Sequence, residues 1–337
     1  MHRGRQLVQR RPRTLAGVGG CAICSGELVL RHSGSGLVLD SELLSPTNHR
    51  PGEYGDLYQC AACGTLQQAS VPDPARLARL YRGMRDDAYL TEDAGRRRTA
   101  RRILDMVGRH VPIGRLLDVG CGHGLLLDEA RLLGWEVEGV EVCETAAAYA
   151  RGTLGLKVHE AALEDLDLGD ERFDAVLLAD VVEHLSDPVS ALRRCRGLLK
   201  PGGVLCVVTP DPSSATARIA GPRWWGLLPA HTFLLPRATL RGLLRAQGLR
   251  IAEDASLVRS FSLGYWLAGF AERGGRLGAA VGAARRVLPR TAIVSVPLGD
   301  ERVMVAATPR SARAQAEPPA PRRSRRRRET VVHAERA

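Results

Sequence analysis

Residues 115–130, RLLDVGCGHGLLLDEA, constrain the fold more than any other stretch. A short apolar run carrying Asp118 leads into Gly120, Gly122 and Gly124, and a leucine-rich helical pattern begins at once. Glycine weakens regular structure, so this density predicts a sharp bend that passes close to another group. Strand, tight loop and helix in that order predict one unit of a parallel sheet, with a ligand crevice at the C-terminal end of the strand.

The surrounding chain repeats the alternation. Apolar runs predict strands over 115–119, 136–142, 156–160, 173–179 and 203–209, and two more over 249–258 and 301–308. Amphipathic spacing predicts helices over 124–133, 144–152, 187–199 and 237–247, and polar helices within 72–110. The expected fold class is therefore α/β, a doubly wound, mostly parallel sheet with helices on both faces. Residues 211–236, rich in proline and carrying Trp224 and Trp225, predict an irregular substrate-side loop, with the tryptophans lining an acceptor pocket or packing the loop. Apolar stretches over 262–290 are broken by arginines and too short to span a bilayer; a lid or dimer contact is preferred over an interfacial helix.

The glycine spacing narrows the ligand. A dinucleotide loop, G-x-G-x-x-G, would need glycine where Leu125 stands, and Asp118 would repel a pyrophosphate. Glu141 ends the second strand, 21 residues after Gly120, where an acid can accept both hydroxyls of a ribose. The pattern asks for a nucleoside that is cationic and free of phosphate.

With these residues in place, the chain resembles the class I S-adenosylmethionine (SAM)-dependent methyltransferases. The resemblance rests on LLDVGCGHG, GVEV, RFDAVLLADVVEHLSDP and LLKPGGVLCVVTP, and it covers residues 75–308. It implies a seven-stranded Rossmann-like methyltransferase sheet with SAM as cofactor. Gly120, Gly122 and Gly124 would let the backbone approach the methionine part, and Asp118 would orient the loop and the ligand amine. Glu141 would bind the ribose, Val142 one adenine face, and Leu163 with Glu164 the other. Ala179 would lie beside the sulfonium, and Arg97 or Arg101 would pair with the ligand carboxylate. Glu164 also has a plain explanation as a solvated loop acid.

Two CxxC pairs, Cys21/Cys24 and Cys60/Cys63, flank β-like segments. Tight turns presenting four thiolates suit a tetrahedral zinc ion, so residues 19–70 are expected to form a small zinc ribbon, with His32 and His49 as weaker ligand candidates. Paired disulfides fit poorly with a chain lacking an apolar signal core. Cys121, Cys143, Cys195 and Cys206 read as buried small hydrophobes. The ribbon, RWWG and AHTFLLPRATL are similar to a bacterial subgroup of the family, which commonly has glutamate where this chain has Ala230.

The net charge of +11 suggests nucleic acid until it is located. Residues 1–13 hold five arginines and no acid, and residues 310–337 hold nine arginines and three glutamates, so 5 + 6 accounts for the whole excess. The ends, 1–18 and 310–337, are expected to be disordered and solvated rather than a nucleic-acid face, although RNA, DNA or acidic lipid is the alternative partner. A cytoplasmic monomer or homodimer is expected.

Methyl transfer needs alignment and exclusion of water, and a hydroxyl or carbon acceptor also needs a base. His184 and His231 are the candidates, with Asp180 third; in EHLSDP, Ser186 or Asp187 also has the structural task of capping the helix that Pro188 begins. The expected function is methylation of an O or C atom of a small molecule of sugar or secondary-metabolite type. The alternatives are methylation of RNA or protein, with ribbon and tails as docking elements, or a non-catalytic scaffold.

Overall fold

The computed structural model describes residues 20–35, 39–45, 47, 53–69, 71–86, 88–271 and 289–309. His49, both arginine-rich ends and most of 262–290 lie outside the described residues.

The chain opens with three short strands, β1 (Leu28–His32), β2 (Leu57–Cys60) and β3 (Leu66–Gln68), paired antiparallel in that order. Helix α1 (Pro74–Arg82) follows, its first turn held by Asp73, which accepts a hydrogen bond from Arg76 N, and by proline at the start. Helix α2 (Asp93–Val107) leads into the large domain.

There β4 (Arg115–Val119), α3 (Leu125–Leu132), β5 (Glu136–Glu141), α4 (Glu144–Gly152), β6 (Val158–Glu160), β7 (Phe173–Ala179), α5 (Pro188–Gly197) and β8 (Leu199–Pro210) alternate as expected. Asp187 is the residue that caps α5, accepting from Ser190 N. Next come α6 (Ala215–Ala220), β9 (Phe233–Leu234), α7 (Arg237–Ala246), β10 (Arg250–Ser256), β11 (Arg259–Ser262), α8 (Leu263–Ala271), β12 (Ile293–Val296) and β13 (Glu301–Ala307).

Seven strands form the main sheet in the order β10-β13-β8-β7-β4-β5-β6. Strands β4 to β8 run parallel, and β13 is antiparallel to both neighbours, β8 and β10. This is the Rossmann-like methyltransferase sheet, and its central strands β4, β7, β8 and β13 are mostly buried on both faces, whereas the edge strand β10 is half-exposed. Leu116, Leu177, Cys206 and Val305 join one core layer, whereas Leu117, Val176, Leu205 and Met304 join the other. All four remaining cysteines are buried.

Two departures from expectation matter for the site. The loop 211–236 is not wholly irregular: it contains α6 and β9, and β9 pairs with β3, Leu66 facing Leu234. The ribbon sheet is thus completed by a strand of the larger domain. The antiparallel pair β11–β12 was not expected, because four-residue runs such as RSFS carry too little alternation to register. No helix among the described residues is long and apolar enough to cross a membrane.

Candidate cofactor and acceptor cavity

At the C-terminal ends of β4, β5 and β7 the chain lines a cavity of about 400 Å³, within the usual range for a small-molecule site. The bend after β4 is what opens it. Gly120, Gly122 and Gly124 all have positive φ (71°, 54° and 79°), a region costly for other residues. A side chain at Gly120 would also strike Val181, with a Cβ 2.6 Å from Cγ2. Gly120 and Gly122 line the cavity. Gly124 instead packs inward, where a Cβ would lie 2.7 Å from Leu156 Cδ1.

Glu141 locks this loop. Its Oε2 accepts from Gly122 N and its Oε1 from Cys143 N, both at 2.7 Å. Burial raises its carboxyl pKa, and the backbone N–H groups of Cys143, Gly122 and Val142 only partly offset that. Each oxygen keeps a further lone pair, and the residue lines the cavity. Val142, Leu163, Glu164 and Ala179 line it too.

Asp118 lies beneath, 2% exposed, with Oδ1 lacking any hydrogen-bond partner. Burial and the nearby Glu141 push its carboxyl up to about 8. It lines an adjoining smaller cavity together with Tyr89, Arg96, Gly120, Ala179 and Arg259. The arginines expected here are elsewhere. Arg97 binds Asp93, Asp128 (2.7 Å) and Glu129 (3.1 Å), and Arg101 binds Glu129 at 2.5 Å. The α2 cation that faces both cavities is Arg96, stacked 3.7 Å over the Tyr89 ring.

On the other side of Ala179, His184 and His231 come together, ring centroids 4.8 Å apart. His231 is buried, and its Nδ1 lies 2.7 Å from Gly226 O, a geometry in which Nδ1–H donates and Nε2 keeps its lone pair. His184 Nδ1 lies 2.8 Å from Tyr81 Oη and 3.1 Å from Ala230 O. Burial, helped by the neighbouring His231, pulls His184 down to about 3, and burial pulls His231 to about 4. Both rings are neutral at pH 7. Asp180, with a left-handed φ of 58°, is ion-paired to Arg259. Burial opposes its charge, but Arg259 outweighs burial and holds the carboxyl below its ordinary value, which makes it a weak base. Trp224 and Trp225 line the cavity and both donate indole N–H bonds to Asp300 Oδ2, at 2.8 and 2.6 Å.

The sequence reading did not single out Tyr81, Arg96, Arg259, Asp300 or Glu301. Glu183 anchors the turn after β7: its carbonyl accepts from Thr232 N at 2.8 Å and its Oε2 from Thr209 Oγ1 at 3.0 Å.

In the ribbon, the sulfurs of Cys21, Cys24, Cys60 and Cys63 all lie within 4.8 Å of one another. The Cys21–Cys63 and Cys24–Cys60 separations, 3.7 and 3.5 Å, approach the edge of about 3.8 Å expected for tetrahedral Zn–S bonds. Burial opposes the Cys60 thiolate, yet the Cys63 and Ala62 N–H groups bring it down to about 7. A Cβ at Gly26 would sit 2.9 Å from Cys60 Sγ, so this glycine makes room for the sulfurs. The donor set fits one tetrahedral ion. His32 stands apart from the four sulfurs, edge-on to Tyr54 at 6.3 Å. The ribbon also grips the histidine loop: Gln68 Nε2 donates to Pro229 O (2.7 Å) and His231 O (2.9 Å).

Fold and cradle together define a class, the Rossmann-like methyltransferase fold, and residues 89–254 match the family model described as a methyltransferase domain. The match spans 166 of the 337 residues of the chain. Among curated proteins it is similar to the ubiquinone biosynthesis O-methyltransferase of Cereibacter sphaeroides (strain ATCC 17025 / ATH 2.4.3), 40% identical over 159 residues. That of Ruegeria pomeroyi is 39% identical over 160 residues. Each match covers 43% of this chain, and the chain spans 63% of the length of those relatives. Among solved structures it is similar to magnesium protoporphyrin IX methyltransferase of Synechocystis PCC 6803 with bound SAH, at a TM-score of 0.43 and 16% identity, covering 69% of this chain and 94% of that one.

Proposed function

We propose that the protein is a SAM-dependent methyltransferase acting on an oxygen or carbon atom of a small-molecule acceptor of sugar or secondary-metabolite type. The observation that carries this reading is Asp118: a buried carboxylate with an unpartnered oxygen beside a glycine loop and a ribose-side acid. Such a group disfavours phosphate and favours a cation. The curated relatives, named as O-methyltransferases, support the reaction type.

SAM supplies a methyl group already made electrophilic by its sulfonium. The chain's own residues then bind, orient and exclude water. Asp118 would take the ligand amine, Arg96 the carboxylate, and Glu141 the ribose hydroxyls through its remaining lone pairs, with Val142 and Leu163 flanking the adenine. His231, whose Nδ1 is committed to Gly226 O, is the favoured proton acceptor through Nε2, with His184 beside it; burial leaves its ring a weak base as well, and its advantage over Asp180, tied to Arg259, is the open Nε2 lone pair rather than basicity. Cys21, Cys24, Cys60 and Cys63 would hold a structural zinc ion.

Calorimetry with SAM and with NAD+ tests the reading. Saturable SAM binding without NAD+ binding is expected, and no SAM binding at millimolar ligand overturns it. Labelled SAM added to a lysate should then deliver its label to the small-molecule fraction rather than to RNA or protein.

A further inference from the structure

Seven buried side-chain N or O atoms among the described residues have no hydrogen-bond partner. Three are arginine Nε atoms on side chains already in ion pairs. The other four are carboxylate oxygens, on Asp118, Glu183, Asp300 and Glu301, and all four residues line the two adjoining cavities. Asp118 belongs to the cofactor end. Glu183, Asp300 and Glu301 do not: Glu183 follows β7, Asp300 immediately precedes β13, and Glu301 opens it, facing Pro210 at the end of β8.

These three residues are 1%, 0% and 2% exposed. A buried acceptor oxygen without a donor is destabilising and rarely kept without a use. Around them the wall is aromatic, with Trp224, Trp225, Phe261 and Tyr265 lining the same space. Acids gather in this half, Asp180, Glu183, Asp300 and Glu301 around Arg259, while Arg96 lies toward the cofactor end and Arg223 is exposed at the rim. Burial raises Glu183 well above its ordinary value and Glu301 to about 8, so both favour the neutral carboxyl until a cationic ligand draws the proton off, as for Asp118. Arg259 is itself shared between Asp180 and Glu301.

We propose that this half of the cavity binds a donor-rich acceptor, a polyol or amino-polyol that carries hydroxyl or ammonium groups and no phosphate or carboxylate at the bound end. Its O–H or N–H groups meet the free oxygens of Glu183, Asp300 and Glu301, and its C–H faces lie on the tryptophans. The inference rests on the methyltransferase reading for the reaction, but the acceptor end can be probed without cofactor. A divalent cation is the competing occupant, since Glu183, His184 and His231 present ligand atoms within 4.8 Å of one another.

The test is a titration of the full chain with glucosamine, glucose and glucose 6-phosphate, followed by tryptophan fluorescence, with and without SAM. Glucosamine and glucose should quench, and glucose 6-phosphate should bind at least tenfold more weakly. Glu301→Gln and Asp300→Asn should each weaken glucosamine more than glucose, with SAM affinity within twofold of the parent. Should Asp300→Asn fail to fold through loss of the tryptophan contacts, Glu301→Gln and the parent series decide. Preference for the phosphate, indifference to charge, no quench by any of the three, or binding that appears only with added Mg2+ overturns the proposal. Loss of SAM binding alone would defeat the methyltransferase reading and leave the fluorescence result standing.

Discussion

The ribbon and the cofactor cradle both gather acidic ligating groups at tight turns, yet they are finished differently. In the ribbon, four sulfurs close on one another and Gly26 clears space for them, although Cys24 stays exposed to solvent. In the cradle, Glu141 spends a bond from each oxygen on the loop, while Asp118 keeps an oxygen with no partner at all. The first arrangement would be complete with one bound ion, and the proposed zinc would then serve stability. The second stays incomplete without a ligand, which is what a binding site requires.

The largest effect that would break this contrast is at Asp118. Asp118→Asn should weaken SAM by about a hundredfold or more by calorimetry, because it leaves the ligand's charge without its buried counter-ion, while thermal stability holds or rises. Cys60→Ser should do the reverse. One equivalent of zinc per chain is lost by metal analysis and the melting temperature falls by several degrees, with SAM affinity changed only a few-fold. Equal losses of SAM binding in both variants would refute the division of labour.

Smaller effects sharpen it. Arg96→Ala should weaken SAM by about tenfold, the scale of one charge-assisted contact, whereas Arg97→Ala should act on stability through Asp93, Asp128 and Glu129. Gln68→Ala, which frees the His231 loop from the ribbon, should lower kcat a few-fold with SAM affinity unchanged, and Gln68→Glu should not restore it, because a carboxylate cannot donate to Pro229 O and His231 O. The pH effect is the mildest. Asp118, at about 8 when free and facing Glu141, is protonated at neutral pH and must ionise to meet a cation. SAM affinity should therefore rise as pH goes from 6 to 8, with proton release visible as a buffer-dependent binding enthalpy.

The cradle was legible in the sequence because its parts are local: strand, glycines, acid and helix fall within residues 115–141. The acceptor half was not, because Arg259, Asp300 and Glu301 reach it from segments more than a hundred residues downstream, with no spacing to mark them. Which α2 arginine faces the cavities was not legible for a different reason. Neighbouring helix residues point about 100° apart, and the run GRRRTARR has too few apolar residues to set which arginine faces inward. The ribbon's four cysteines were legible from their spacing, but its fourth strand was not, since two residues carry no pattern.

That fourth strand limits how the molecule could be dissected. Phe233 and Leu234 are 1% exposed and paired to β3, and Leu66, Tyr54 and Leu227 pack with Leu234 into one apolar seam. A shortened protein beginning at residue 71 would present a naked β edge flanked by oily side chains, an invitation to stick to its own kind. Evolution could not trade this small head for another without also rewriting the segment that carries His231.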